Sequence, residues 1–427
     1  GFVFGDAGDQ NVIKCGSYVG NGSSSAPPQV YLGWEPQWVM VKRTNGSGQD
    51  WVMVDSMRGM FSDVSQTPHL RANSNNAEQD TSYYRIDISS GTGFAPFTTD
   101  NGLNGNGDEY IYIAFRRPDG YVGKPPELGT DVFAMDTGAA SWTIPNFDSG
   151  FPVDMGLYRR PAVTDTWYLS HRLLQGRYLR TNLANSDGGD GGLSFDSNVG
   201  WAENGKGSEY QSWQWKRHAG FTTVAYEGDG VAGRRIAHDM NNSVGMIWIK
   251  NRDSTKDWVV GHQGLNGGTN PWEYHLVLND TVAESDSTTK GFNDTAPTST
   301  HFTLGSHSAV NAGGNSYIAM LFASTDVSAV GSYTGDDSDD GSHVINVGFT
   351  PRFLIIKRAD GSADWKVYDT TNGFPTSGTA NYLELNTTDA RHTGGATVTQ
   401  ATNGFKLWSP GSPYNANNAK YIYYAHA

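Results

Sequence analysis

Three sets of residues in this 427-residue sequence have the types and spacing to do chemistry: a run of aspartates, a scatter of loop aromatics and a single cysteine. Asp336, Asp337, Asp339 and Asp340 crowd one short loop. Oxygen ligands at that density suit calcium, the only cofactor the residues suggest, and they equally suit a solvated acidic loop. Tyr83, Tyr84, Trp201, Trp272, Tyr274 and Tyr414 fall in segments whose length varies between the internal repeats set out below. Aromatic faces flanked by Asn, Asp and Gly can cover the apolar C–H groups of a sugar, so these six are the candidate ligand-binding residues. Sealing the ends of a β-sandwich is their alternative use. Trp272 and Tyr274 follow Pro271 and, in an extended stretch, share a face on which both could flank one sugar. Cys15 reads as a buried or half-buried thiol rather than a nucleophile.

Catalytic patterns are scarce. The sequence contains no His-Glu-x-x-His, no Gly-x-Ser-x-Gly and no Gly-Lys-Ser/Thr phosphate loop. Gly228-Asp229-Gly230-Val231-Ala232-Gly233 fits a dinucleotide fingerprint, but Arg234 to Asp239 do not open an amphipathic helix and no βαβ unit surrounds it. The eleven histidines are scattered. Paired carboxylates for glycoside hydrolysis stay open, since their separation of roughly 5–10 Å is invisible in sequence. Asp55 and Asp369 recur in equivalent strands, with Gly261 and Ser170 near that place in other copies, which argues for a role in the fold. The expectation is a protein that is not an enzyme.

What must position these residues is a repeat. Gly16-Ser17-Tyr18-Val19-Gly20, Val224-Ala225-Tyr226-Glu227-Gly228 and Gly331-Ser332-Tyr333-Thr334-Gly335 each precede an apolar strand ending in lysine, with 24 residues from Tyr to Lys42, Lys250 or Lys357. A tryptophan follows 8 or 9 residues later, at Trp51, Trp258 and Trp365. A Leu-x-x-Asn element comes next, ending at Asn73, Asn279 and Asn386, and a Tyr-Ile-rich strand closes the copy. A degenerate copy keeps Leu157-Tyr158-Arg159-Arg160, Trp167 and Tyr178-Leu179-Arg180-Thr181-Asn182. Because Trp51, Trp167, Trp258 and Trp365 recur in every copy, they form the structural signature and read as core. The units are 16–118, 132–217, 218–326 and 327–427, with 119–131 as a linker and 1–15 ending a preceding element. The chain starts at Gly1 rather than Met, which reads as a processed or partial chain.

Short strand candidates bounded by Gly, Asn, Asp, Ser or Pro, with no sustained 3.6-residue period, predict an all-β tandem array of four β-sandwich domains. Each lysine strand is apolar on both faces and so is expected to be central and covered on both sides. Independent beads, or beads packed edge to edge, are the expected arrangement. With a formal charge of −14, a nucleic-acid partner is not expected, and no apolar run, Val244 to Ile249 included, is long enough to span a membrane. One cysteine rules out an internal disulfide.

Gly33-Trp34-Glu35-Pro36-x-Trp38-Val39-Met40-Val41-Lys42, Asp55-Ser56-Met57-Arg58-Gly59 and Tyr110-Ile111-Tyr112-Ile113-Ala114 resemble a repeat family of marine phage tail-fibre and virion structural proteins. Those repeats are concanavalin A-like or laminin G-like sandwiches, so the resemblance implies jelly-roll domains. It implies a virion protein assembled in the host cytoplasm, tail-fibre- or spike-like, binding host-surface glycan. A capsid-decorating or connector protein that binds other virion proteins is the alternative, and a glycan-degrading enzyme comes third. A homo-oligomer, with a trimer as the expected count, belongs to the same picture.

Overall fold

Runs such as Phe353-Leu354-Ile355-Ile356 place large apolar side chains on both faces of a strand, a pattern that suits a strand with a layer on either side. The computed structural model describes residues 12–60, 67–79, 84–88, 91–117, 124–139, 144–174, 176–189, 191–396, 398–411 and 413–427. It is all-β: antiparallel sheets joined by turns and short 3-10 segments, with one four-residue α-helix, Ser308–Asn311, among the described residues.

Each copy of the repeat builds the same four-strand antiparallel order, with the closing strand beside the lysine strand, then the tryptophan strand, then the leucine strand. In the first copy these are Glu109–Arg116, Pro36–Arg43, Val52–Asp55 and Leu70–Arg71, with Ile13–Val19 added outside the closing strand. The second copy uses Gln211–Trp215, Met155–Arg159, Tyr168–His171 and Arg177–Arg180. In the third they are Ser316–Phe322, Met246–Asn251, Val259–His262 and Tyr274–Val277, and in the fourth Lys420–His426, Phe353–Arg358, Lys366–Asp369 and Ala380–Glu384. One cross-strand pair fixes the register throughout: Met40 opposite Met53, Leu157 opposite Leu169, Trp248 opposite Val260 and Ile355 opposite Val367.

Contacts divide the chain into two compact units. The first comprises Gly1–Val122, Val224–Glu227 and Ala237–Asp239; the second comprises Gly123–Thr223, Gly228–Ile236 and Met240–Ala427. In the first, a smaller sheet of Val30–Tyr31, Gly93–Pro96 and Ile86–Asp87 accompanies the large one. Smaller sheets of Phe147–Asp148, Gly200–Glu203 and Leu193–Ser194, and of His343–Asn346, Gly404–Leu407 and Val398–Ala401, do the same in the second. Apolar residues from the smaller and larger sheets share one interior, for example Phe147, Leu193 and Trp201 with Tyr158, or Ile345 and Phe405 with Leu354 and Ile356. This layering is consistent with a β-sandwich.

The second unit holds a further core that the expected bead arrangement did not include. Residues on the opposite face of its three large sheets, among them Trp213, Trp248 and Ile355, bury one another in a single cluster. The three sheets therefore pack face to face around common apolar ground and are not independent beads. Alternation explains it: Leu354 and Ile356 fill their own sandwich, so Phe353 and Ile355 are left to meet a neighbour.

Candidate functional site

Each recurrent tryptophan immediately precedes its strand, so its backbone N–H lies outside the ladder and needs another acceptor. The asparagine of the Leu-x-x-Asn element supplies one. Oδ1 of Asn73, Asn182, Asn279 and Asn386 accepts the N–H of Trp51, Trp167, Trp258 and Trp365 at 2.9, 3.3, 2.9 and 2.8 Å. In three copies the same amide donates to the aspartate before the tryptophan, Asp50, Asp257 or Asp364.

In the second unit the side chains positioned this way reach into the next copy. Trp258 donates its indole N–H to the Arg180 carbonyl of the second copy at 2.8 Å. Trp365 donates to the Val277 carbonyl of the third copy at 3.0 Å, and Trp167 to the Glu384 carbonyl of the fourth at 2.7 Å. Every acceptor stands two residues before the neighbour's asparagine. The cations run the same circuit. Lys250 Nζ donates to the Ala184 carbonyl at 3.1 Å and Lys357 Nζ to the Thr281 carbonyl at 3.1 Å. Arg159 stands where other copies have lysine and donates to the Thr388 and Asp389 carbonyls at 3.1 and 2.7 Å. Ala184, Thr281 and Thr388 stand two residues after the asparagine. Each also accepts a backbone N–H from the gripping copy, from Lys256, Ala363 and Asp165 respectively. Three copies thus close a head-to-tail ring in which each holds the next with the same groups.

Trp167, Trp258 and Trp365 are buried at these contacts, as are Lys250, Lys357 and Arg159. Burial pushes both lysines down to about 8 and Arg159 down to about 10. The carbonyls that surround each cation offset part of the desolvation. Indole N–H, ammonium and main-chain carbonyl make a cohesive set.

Equivalence of Asp55 and Asp369 with positions in the other copies shifts by one residue from the sequence expectation. The ladders set Asp55 opposite Trp38 and Asp369 opposite Phe353, and in the same place set His171 opposite Met155 and His262 opposite Met246. All four side chains accept a backbone N–H from the turn that follows, of Arg58, Asn372, Leu173 and Gly264 respectively. Turn capping is the shared role, and an Asp-to-His exchange hid it in the alignment.

The structure places most candidate ligand-binding rings inside. Pro271–Glu273 is a 3-10 turn rather than an extended stretch, so Trp272 and Tyr274 do not share a face by strand alternation. Trp272 is buried, 5.2 Å from the Phe292 ring, and Gly261 makes room for it, since a Cβ there would lie 2.7 Å from the indole. Tyr274 packs half-buried against the shared core. Trp201 stacks on Phe147 and Phe195 and donates to Ser212 Oγ at 3.0 Å. Tyr414 and Tyr84 are also buried, and Tyr83 lies outside the described residues. Trp201 lies in the strand Gly200–Glu203 and Trp272 in a tight turn, and in each case the large apolar ring lowers its free energy by closing the interior rather than facing water.

Carboxylates of the acidic loop take up donors of their own surroundings. Asp336 accepts from Ser338 and Asn415 and lies 3.0 Å from His343 Nδ1. Desolvation raises its pKa, but these hydrogen bonds and the histidine outweigh that and hold it at about 2. Asp337 accepts the Gly411 N–H and Asp340 the Ser342 N–H, while Asp339 is exposed. Among the described residues, Glu384, Asp389 and His392 bring ligand atoms within 4.8 Å of one another, with Glu384 already paired to Lys366. Cys15, expected to be at least half-buried, is exposed in the strand Ile13–Val19. Sequence reasoning missed the two carbonyls flanking each asparagine as acceptors; their signal is only the constant spacing to Asn, because main-chain groups leave no residue type to read.

No curated protein and no solved structure matches the chain. A family model described as a domain of unknown function (DUF7483) matches residues 7–118 and 181–427, skipping much of the degenerate second copy. Since that match covers more than half of the sequence, the chain belongs to the DUF7483 family.

Proposed function

We propose that this protein is a non-enzymatic structural module of a virion, tail-fibre- or spike-like, built of four tandem jelly-roll sandwich domains of the concanavalin A/laminin G type. One observation carries the structural role: the tryptophan and cation that recur in every copy are engaged, in the second unit, in gripping the next copy, while the recurrent asparagine holds the tryptophan of its own copy. A function shared by all copies would have to use those residues, and here they serve cohesion. The virion setting comes from the resemblance of the repeats to phage structural proteins.

Other virion proteins rank ahead of host glycan as partners, because the rings of Tyr84, Trp201, Trp272 and Tyr414 face the interior. Immunogold labelling of particles purified from the source, with antibody against this chain, tests the reading. Gold on tails, spikes or capsids supports it, whereas label confined to host-cell fractions overturns it. Saturable binding on a glycan array would move the glycan reading back to first place, and release of reducing ends from host polysaccharide would replace both with an enzyme.

A further inference from the structure

The first copy carries the gripping set, and among the described residues that set holds no other copy. Trp51 donates its backbone N–H to Asn73 and its carbonyl accepts the Ala72 N–H, while its indole N–H makes no hydrogen bond among the described residues. Lys42 Nζ turns back to the Gln49 carbonyl of its own copy at 2.5 Å. Around them the outer face of the five-stranded sheet is open. Ile111 is 41% and Phe115 39% exposed, while their register counterparts Ile318 and Phe322 are at 0%. Trp38, Met40, Met53 and Leu70 are half-buried, where Met246, Trp248, Val260 and Leu276 of the third copy are buried. A contiguous apolar face of this kind marks an interaction site.

What covers it can be read from the second unit. There the same face, in the same register, is covered by two further copies of itself, and the ring closes at three. We propose that three copies of this chain assemble through the outer face of their first repeats, forming between chains the ring that the other three repeats form within one. A heterologous contact repeated by the same operator closes into a cyclic trimer when its rotation closes, as this one does at three. In that assembly the Trp51 indole N–H donates to the Arg71 carbonyl of the next chain. Lys42 turns to the Asn75 carbonyl of the next chain, two residues after Asn73, and the Gln49 backbone N–H meets the same carbonyl. The edge-on pair Trp38 and Phe115, 5.3 Å apart, takes the place that Met246 and Phe322 hold in the third copy. Lys42 and Trp51 are one residue further apart than their counterparts, but Met40 still faces Met53, so the sheet register survives the insertion. This inference rests on the repeat geometry and is independent of the virion reading.

Sedimentation velocity on the full chain at micromolar concentration tests it. The expected result is one species at three times the 46.3 kDa chain mass. Phe115→Asp and Ile111→Asp, on side chains that are exposed in the single chain, should return that mass to one chain with an unchanged circular dichroism spectrum. Val344→Asp, at an exposed position in the second unit, should leave the trimer intact. Cys15 gives a second readout. It stands opposite Ile113 as Val330 stands opposite Tyr424, and Val330 is buried in the ring. Alkylation of Cys15 should therefore be slow in the wild type and fast in Phe115→Asp. A wild-type monomer or dimer overturns the proposal, as do a trimer indifferent to Phe115→Asp and equal alkylation rates in the two proteins.

Discussion

Strand Pro36–Arg43 of the first copy and strand Phe353–Arg358 of the fourth have the same partners in the same order, and their inward residues are equally buried. Their outward residues are not: Trp38 and Met40 stay half-exposed while Phe353 and Ile355 disappear into the shared core. The apolar pattern is the same across this comparison, and the environment is what changes. An apolar strand with two apolar faces therefore announces that a second layer is required without saying whose chain provides it. In the second unit neighbouring repeats provide it.

The largest effect that would sharpen this contrast is Trp258→Ala. Loss of a buried indole and the cavity left behind should cost about 3–5 kcal/mol. Because the indole bonds to the second copy and packs in a core common to three, the loss should lower the stability of repeats two, three and four together. Melting of the third repeat alone, with the others intact, would break the account.

Asn279→Ala should come next, at about 1–3 kcal/mol, since it strands the buried Trp258 N–H and releases Asp257. Asn73→Ala in the first copy, measured in the monomeric Phe115→Asp background, should cost distinctly less because water can replace the lost acceptor there. Equal losses in urea titrations of the two variants would erase the distinction between the faces.

A third effect is electrostatic. Burial lowers Lys250 and Lys357 to about 8 from the usual 10.5. Between those values the unfolded chain holds more protons than the folded one, so stability rises with pH across the window and is flat below it. The slope is at most about 1.4 kcal/mol per pH unit for each lysine. Thermal melts of the second unit should accordingly shift upward between about pH 8 and about pH 9.5, and a Lys250→Met, Lys357→Met double variant should flatten the rise. A falling melting temperature over that range in the wild type would contradict the buried, carbonyl-bound placement. The smallest effect belongs to Trp51→Ala in the monomeric background, within about 1 kcal/mol, as for a side chain still half in water.

Much of the frame was legible because it is periodic. The spacings from tyrosine to lysine and from lysine to tryptophan located the central strands of three large sheets, and in the second copy Arg159 falls eight residues before Trp167 just as Lys250 falls eight before Trp258. The interfaces were not legible, since Trp258 reads as core whether it fills its own sandwich or a neighbour's. Trp272 and Trp201 looked available because their segments vary in length, and only the folded path shows the first in an inward 3-10 turn and the second in a strand of the smaller sheet. His171 and His262 escaped because capping can be done by an imidazole or a carboxylate, so chemistry was preserved while residue type was not.

Hydrogen exchange of the wild type and Trp258→Ala, followed by mass spectrometry of peptides, tests the shared ring most directly. The ring predicts that amides of Arg177–Arg180 in the second copy and Lys420–His426 in the fourth lose protection along with those of the third. Loss of protection confined to residues 218–326 would contradict it.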